Sequence, residues 1–295
     1  MTFRSQRTIA RPAEVGGVGF LTGADVRVRF LPANEDSGIA FRRTDLAGAE
    51  PIPALVEYTV PRLRRTAIER RGVSVELIEH VMAALAGLWI DNCLVEINAP
   101  EPPGLDGSCL PFVDALLDAD LVKQTSPRRR IIVRQPDVIR SEDGSQQISV
   151  TPASSGLLTI GYQLDYGPAS AIPSQGHVAE LTPESFARDI AFARTFILDS
   201  EVRHLQAQGY GRRTTAKDLL VFGPQGVIDN ALRTDDECAR HKVLDCVGDF
   251  ALLGCDLVAD VRAFRSGHRL NAELVRRLRL IQEEPAESPA LRRVA

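Results

Sequence analysis

The chain has 295 residues, 44% of them hydrophobic, enough to bury a real core as one large or two medium domains. A net charge of −4 gives no support to nucleic acid as a main partner. The first residues, MTFRSQRTIARPAEV, hold no apolar leader segment, and the longest apolar stretch, 81–90, is too short to cross a bilayer. A soluble, monomeric, cytoplasmic protein is expected. Five cysteines, at 93, 109, 238, 246 and 255, form no C-x-x-C pair, which fits reduced thiols.

In chain order, 25–30 (DVRVRF) alternates with the period of a half-buried strand, 38–42 continues the pattern and 92–98 (NCLVEIN) repeats it. Between them, 76–88 reads as an apolar helix ending near Gly87. Residues 108–120 read as a second helix, with Ser108 as N-cap and Pro111 in the first turn. The polar, basic stretch 123–130 (KQTSPRRR) reads as a linker. Strands follow at 130–134, 147–151, 157–164, 217–222 and 257–264, alternating with helices at 183–192, 199–208, 235–253 and 270–282. Both halves mix strands and helices in similar order, so two α+β domains are expected, 1–124 and 125–283. The Pro- and charge-rich residues 284–295 are expected to form a disordered tail.

Two segments carry the chemistry. Glu79 and His80 are adjacent on the helix expected over 76–88, and His241 and Asp245 sit at i and i+4 some 160 residues later. A His-x-x-x-Asp pair alone also fits a solvated ion pair. Here, however, His241, Asp245 and Asp249 form one polar stripe on a helix that is otherwise apolar round much of its circumference. A helix of that kind is buried, and a buried acidic stripe needs a cation or donors to offset its desolvation. Two His and one Asp are three N/O ligands, the usual catalytic zinc set with one position open, and Glu79 is a spare carboxylate able to take a proton from water. Cys238, three residues before His241, competes as a ligand or as apolar packing. A set divided between the halves places the site in the cleft between them.

The order of longer motifs is more specific than any one spacing. GVGFLTG (17–23), FRRTDL (41–46), IEHVMAALAGLWIDN (78–92), APEPPGLDGSCLPF (99–112), ARTF (193–196), RHKVLDCVGD (240–249) and SGH (266–268) together resemble the UDP-3-O-acyl-N-acetylglucosamine deacetylases, zinc amidases of lipid A biosynthesis. The resemblance runs from about residue 6 to 280. It implies two α+β domains of similar topology, each a β-sheet packed by helices, with the active site between them. It implies zinc on His80, His241 and Asp245, a set that would also accept iron(II). Glu79 then matches the general base, His268 the cationic acid, and Thr195 a hydroxyl beside the reacting carbonyl. Lys242 and Asp249 match residues that support substrate and the second His, and Phe196 and Arg265 substrate-binding positions. The implied substrate is a UDP-linked glucosamine with a 3-O-acyl chain and an N-acetyl group.

Three places depart from the family pattern. Leu21 stands where the third position of a GLHTG-like segment usually has His, and Leu77 where Ser or Thr commonly precedes the Glu by two residues. The third is 209–217, GYGRRTTAK, where an insert should build an apolar passage for the acyl chain. Arg212, Arg213 and Lys217 there predict a passage that is shorter, wetter or absent, because cations against an acyl chain are unfavourable. Two alternatives follow: a deacylase for a related N-acylated sugar with altered acyl preference, and a non-catalytic binding or regulatory relative.

Overall fold

The computed structural model describes residues 4–280. Its first half contains β1 (Ser5–Ile9), β2 (Ala13–Val18), β3 (Asp25–Pro32), β4 (Ile39–Arg43) and β5 (Ile52–Pro53). The hairpin of β6 (Ala67–Arg70) and β7 (Val73–Glu76) then leads into α1 (Glu79–Gly87), β8 (Cys93–Ile97) and α2 (Leu110–Asp118). After them come β9 (Leu121–Pro127), β10 (Arg130–Ile132), β11 (Asp137–Arg140), β12 (Gln147–Thr151), β13 (Leu158–Leu164), β14 (Gln175–Glu180) and α3 (Pro183–Asp189). The chain continues through β15 (Phe196–Leu198), α4 (Asp199–Ala207), β16 (Leu220–Gly223), β17 (Gly226–Val227), α5 (Glu237–Phe250), β18 (Asp256–Phe264) and α6 (His268–Leu278). The fold is α+β, several sheets packed with helices.

Strand order repeats. The first large sheet runs β2-β3-β8-β4-β5, and the second runs β11-β12-β18-β13-β14 with β10 added beside β18. In each, the pairings along that path are antiparallel, antiparallel, parallel, antiparallel. The central strand of each sheet, β8 or β18, is the last to be laid down and is flanked in sequence by two helices. Local pattern accounts for this. In β3, Val26, Val28 and Phe30 are buried while Asp25, Arg27 and Arg29 are exposed, the alternation of a sheet with one wet face.

Helices α1 and α5 form the layer where the halves meet. Every residue of α5 except Arg240 and Lys242 is buried, and α1 is buried apart from His80 and Ala86. Their approach is close at Gly248, where a Cβ would stand 2.1 Å from the carbonyl oxygen of Glu79. Only glycine permits that crossing.

Some sequence expectations need correction. Residues 123–130 do not form a linker: β9 pairs antiparallel with β1, so the expected division between 124 and 125 falls within a strand. The stretch is polar because this two-stranded ribbon wets much of its surface. The strand expected over 217–222 begins only at Leu220. The helix expected from 270 begins two residues earlier, with His268 as its first residue. The tail expected over 284–295 lies outside the described residues. Among the described residues, no helix is long and apolar enough to cross a membrane.

Candidate active site

A cavity of about 720 Å³ opens between the two halves, with Glu79, His80, Thr195, Phe196, His241 and Asp245 on its wall. Lys242, Arg265 and His268 line it as well. Each sits at a defined point of the fold. Leu77 takes a left-handed φ of +56°, uncommon for a bulky residue, and turns the chain so that α1 starts with Glu79 and His80 facing the cleft. His241 and Asp245 project from one face of α5, and Asp249 lies a turn further on, buried.

One donor atom from each of His80, His241 and Asp245 falls within 4.8 Å of the others. Among the described residues this is the one such group of His, Cys, Asp or Glu, and Cys238, fully buried, is not in it. His80 Nε2 lies 3.9 Å and His241 Nε2 3.4 Å from Asp245 Oδ1. The Nδ1 of His241 is 3.1 Å from the Ala193 carbonyl, so it carries the proton and leaves Nε2 as a lone-pair donor.

The electrostatics match a cation site. Burial, and then the neighbouring His241, push the His80 imidazole down to about 3. Burial likewise holds His241 below its ordinary value. Burial would raise Asp245, yet Lys242, with Nζ 2.6 Å from its Oδ2, and the surrounding imidazoles hold it well below the usual carboxylate range. Two neutral imidazoles and an ionised carboxylate are what a divalent metal requires of its ligands, so the residues present fit one.

Beside the cluster are two groups tuned the other way. Burial first, helped by Asp245 and Asp249, pushes Glu79 up to about 7 against the opposing pull of His268. Burial would lower His268, but Asp249 and Glu79 raise it to about 9. The Nδ1 of His268 lies 2.9 Å from Asp249 Oδ2, and its Nε2 lies 3.9 Å from Glu79 Oε1. Near neutrality, then, one group can accept a proton and its neighbour carries one.

The remaining sequence candidates divide. Phe196 stacks edge-on against His241, with ring centroids 6.0 Å apart, and also against Tyr166 and Phe222. Thr195 is fixed through its backbone to the Gly107 carbonyl at 2.7 Å. Arg265 lies on the cavity wall paired with Asp165 at 2.8 Å. At Leu21 the backbone N–H, not the side chain, bonds the buried Glu101, which also accepts from Thr22, so the turn keeps its shape without a histidine. Arg212, Arg213 and Lys217 are all exposed and none lines the cavity; Arg213 instead reaches the Gly23 carbonyl and Asp25. The expectation of a shorter, wetter or absent passage rested on these cations facing the acyl chain; they face water instead, where they keep their hydration.

Sequence reading missed three supports. Arg194 is buried and bonds Glu237 at 2.7 Å, which braces the segment carrying the Ala193 carbonyl against the start of α5. Asn271 donates to Asp249 Oδ2 at 2.8 Å. Thr66 bonds Glu79 and Asp249. Arg194 had a signal, its place in ARTF; the other two had none.

A site able to hold a Lewis acid beside a proton acceptor and a proton carrier belongs to the metal-dependent hydrolases. Within that class, the chain is a member of the UDP-3-O-acyl N-acetylglycosamine deacetylase family, whose sequence profile it matches over residues 6–279. Its relatives include the UDP-3-O-acyl-N-acetylglucosamine deacetylase of Myxococcus xanthus, 36% identical over 275 residues, which span 93% of this chain and 86% of the relative. The enzyme of the same name from Solibacter usitatus is 37% identical over 276 residues, 93% and 91% of the two chains. The Shewanella denitrificans enzyme is 35% identical over 285 residues, 96% and 92%.

Proposed function

We propose that this chain removes the N-acetyl group from a UDP-linked 3-O-acyl-N-acetylglucosamine, releasing acetate, as a step of lipid A biosynthesis in the cytoplasm. One observation carries the reading: a neutral His80–His241 pair with ionised Asp245, set beside a raised Glu79 and an Asp249-paired His268. His80, His241 and Asp245 would hold zinc, which when bound would supply Lewis acidity at the reacting carbonyl and water.

The side chains do the rest. Glu79 takes a proton from water as the oxygen–carbon bond forms. His268, held protonated by Asp249, stabilises the oxyanion and then gives its proton to the sugar nitrogen as the carbon–nitrogen bond breaks. The products are acetate and a free amine. Thr195 presents its hydroxyl beside the reacting carbonyl, and Lys242 keeps Asp245 ionised while facing the cavity. Phe196 offers an apolar face, and Arg265 a charge for the diphosphate. Arg212, Arg213 and Lys217 face water outside the cavity, so that departure does not favour a different N-acyl sugar, and the intact acid, base and ligand set speaks against a non-catalytic relative.

The test is mass-spectrometric detection of acetate loss from the UDP-linked 3-O-acyl substrate, with metal analysis of the purified protein. About one zinc per chain is expected, largely lost in His241→Ala. No acetate release from metal-replete protein overturns the assignment, and iron in place of zinc overturns the metal alone.

A further inference from the structure

One residue outside the ligand set touches both proton-handling groups. Thr66 precedes β6 in the first half of the chain and is only 6% exposed. Its backbone N–H donates to Glu79 Oε2 at 3.0 Å, and its carbonyl accepts from the Ile78 N–H at 3.3 Å, so its main chain grips the start of α1. Its hydroxyl reaches the other half, donating to Asp249 Oδ1 and lying 3.1 Å from His268 Nδ1. A threonine hydroxyl has one proton to give and lone pairs to receive. With the proton on Asp249, the oxygen accepts from the His268 Nδ1–H, which Asp249 Oδ2 also receives at 2.9 Å. Asn271 occupies that same Oδ2 from the far side at 2.8 Å. The imidazole is thereby fixed by its Nδ1 edge, with Nε2 left toward Glu79 Oε1.

We propose that Thr66 is a positioning residue that locks Glu79 and His268 to one another across the cleft, holding base and acid as one unit. This rests on the hydrolytic reading of the site. The hydroxyl bonds two ways, to Asp249 on α5 and to His268 on α6, while the backbone N–H of the same residue holds Glu79 on α1, so one residue joins both proton-handling groups. Any relative sliding of the halves must break this junction before it separates the acid from the base.

The test replaces the oxygen and keeps the shape. Thr66→Val preserves the backbone bond to Glu79 and removes only the hydroxyl. Its kcat should fall about 10–100-fold, the range for groups that orient the residues at a reacting centre. KM should stay within about twofold, since substrate binding is untouched. Metal content should be unchanged, and Thr66→Ser should regain most of the lost turnover. Turnover of Thr66→Val near that of the parent, a loss confined to KM, or a Ser variant as slow as Val would each overturn the proposal. Should the Val variant not fold, the Ser and Ala variants differ by one oxygen and make the same comparison. A readout independent of the substrate is the His268 ring in ¹⁵N-histidine-labelled, metal-loaded protein. Its Nδ1–H resonance should be protected in the parent and Thr66→Ser and shifted or lost in Thr66→Val. An unmoved resonance overturns the positioning role even if acetate release fails and takes the proposed function with it.

Discussion

In the proposed mechanism Glu79 and His268 act as a pair because each environment pushes a pKa away from its ordinary value. Hydrolysis needs Glu79 ionised, so rate rises as pH climbs through its pKa, about 7 with burial dominant. A cation beside it favours the carboxylate and moves that acid limb lower. The alkaline limb follows loss of the His268 proton near 9. Asp249→Asn removes the carboxylate that does most to raise His268 and that also helps to raise Glu79, so the alkaline limb of the pH–rate profile should move toward lower pH and by more than the acid limb. A profile unchanged in Asp249→Asn would remove Asp249 from that role. Glu79→Gln should retain metal yet lose roughly 10²–10⁴-fold in kcat; turnover close to the parent's would show that another group takes the proton. The ligands and these two groups were legible in the sequence because motif order located them. Thr66 and Asn271 were not, since their importance comes from partners 183 and 22 residues away, a separation no local pattern carries.

At the scale of elements, the packing of α1 on α5 decides the site, for it brings Glu79–His80 to His241 and Asp245. In a helix interior, Gly→Ala ordinarily stabilises by about 1 kcal/mol. At Gly248 the opposite is expected, because the new methyl meets the Glu79 backbone at 2.1 Å, and backbone in the buried layer cannot yield cheaply. Gly248→Ala should lower stability by about 1–3 kcal/mol and weaken metal binding, read by thermal unfolding and by metal titration. Equal or greater stability would show that the helices slide apart freely. The segment 209–217 gives a second expectation. Its cations face water, which leaves Phe20, Leu63, Pro103 and Phe196 on the cavity wall as apolar surface that an acyl chain would cover. Each buried methylene contributes about 0.8 kcal/mol, so kcat/KM should rise steeply with acyl length, about fourfold per carbon until the passage is filled. A flat series would mean the chain stays in solvent. The long periodic elements, β3, α1 and α5, were readable from hydrophobic pattern alone. β9 was not, since a wet two-stranded ribbon has the composition of a linker, and its partner β1 lies over a hundred residues away.

Across the whole molecule, a candidate ligand set drawn from both halves would make a bound metal a cross-link. His80 comes from α1, and His241 and Asp245 from α5. A metal bound only by the folded state stabilises it by RT ln(1 + [L]/Kd), about 4 kcal/mol at a thousandfold excess over Kd. Chelation should therefore lower Tm by roughly 8–16 °C, and stoichiometric zinc should restore it. Calorimetry with and without chelator checks this, and an indifferent Tm would mean the cluster holds no metal tightly.

The repeated strand order has a consequence for ancestry. Two tandem copies of one unit bring equivalent helices, α1 and α5, to a shared seam, yet the copies no longer carry equivalent side chains. One supplies Glu79 and His80; the other supplies His241, Asp245, Asp249 and His268. The shared strand order is what tandem duplication of one unit would leave, and the site residues are divided between the two halves. Neither half holds the whole site, so a half expressed alone should bind metal with an incomplete ligand set and release no acetate.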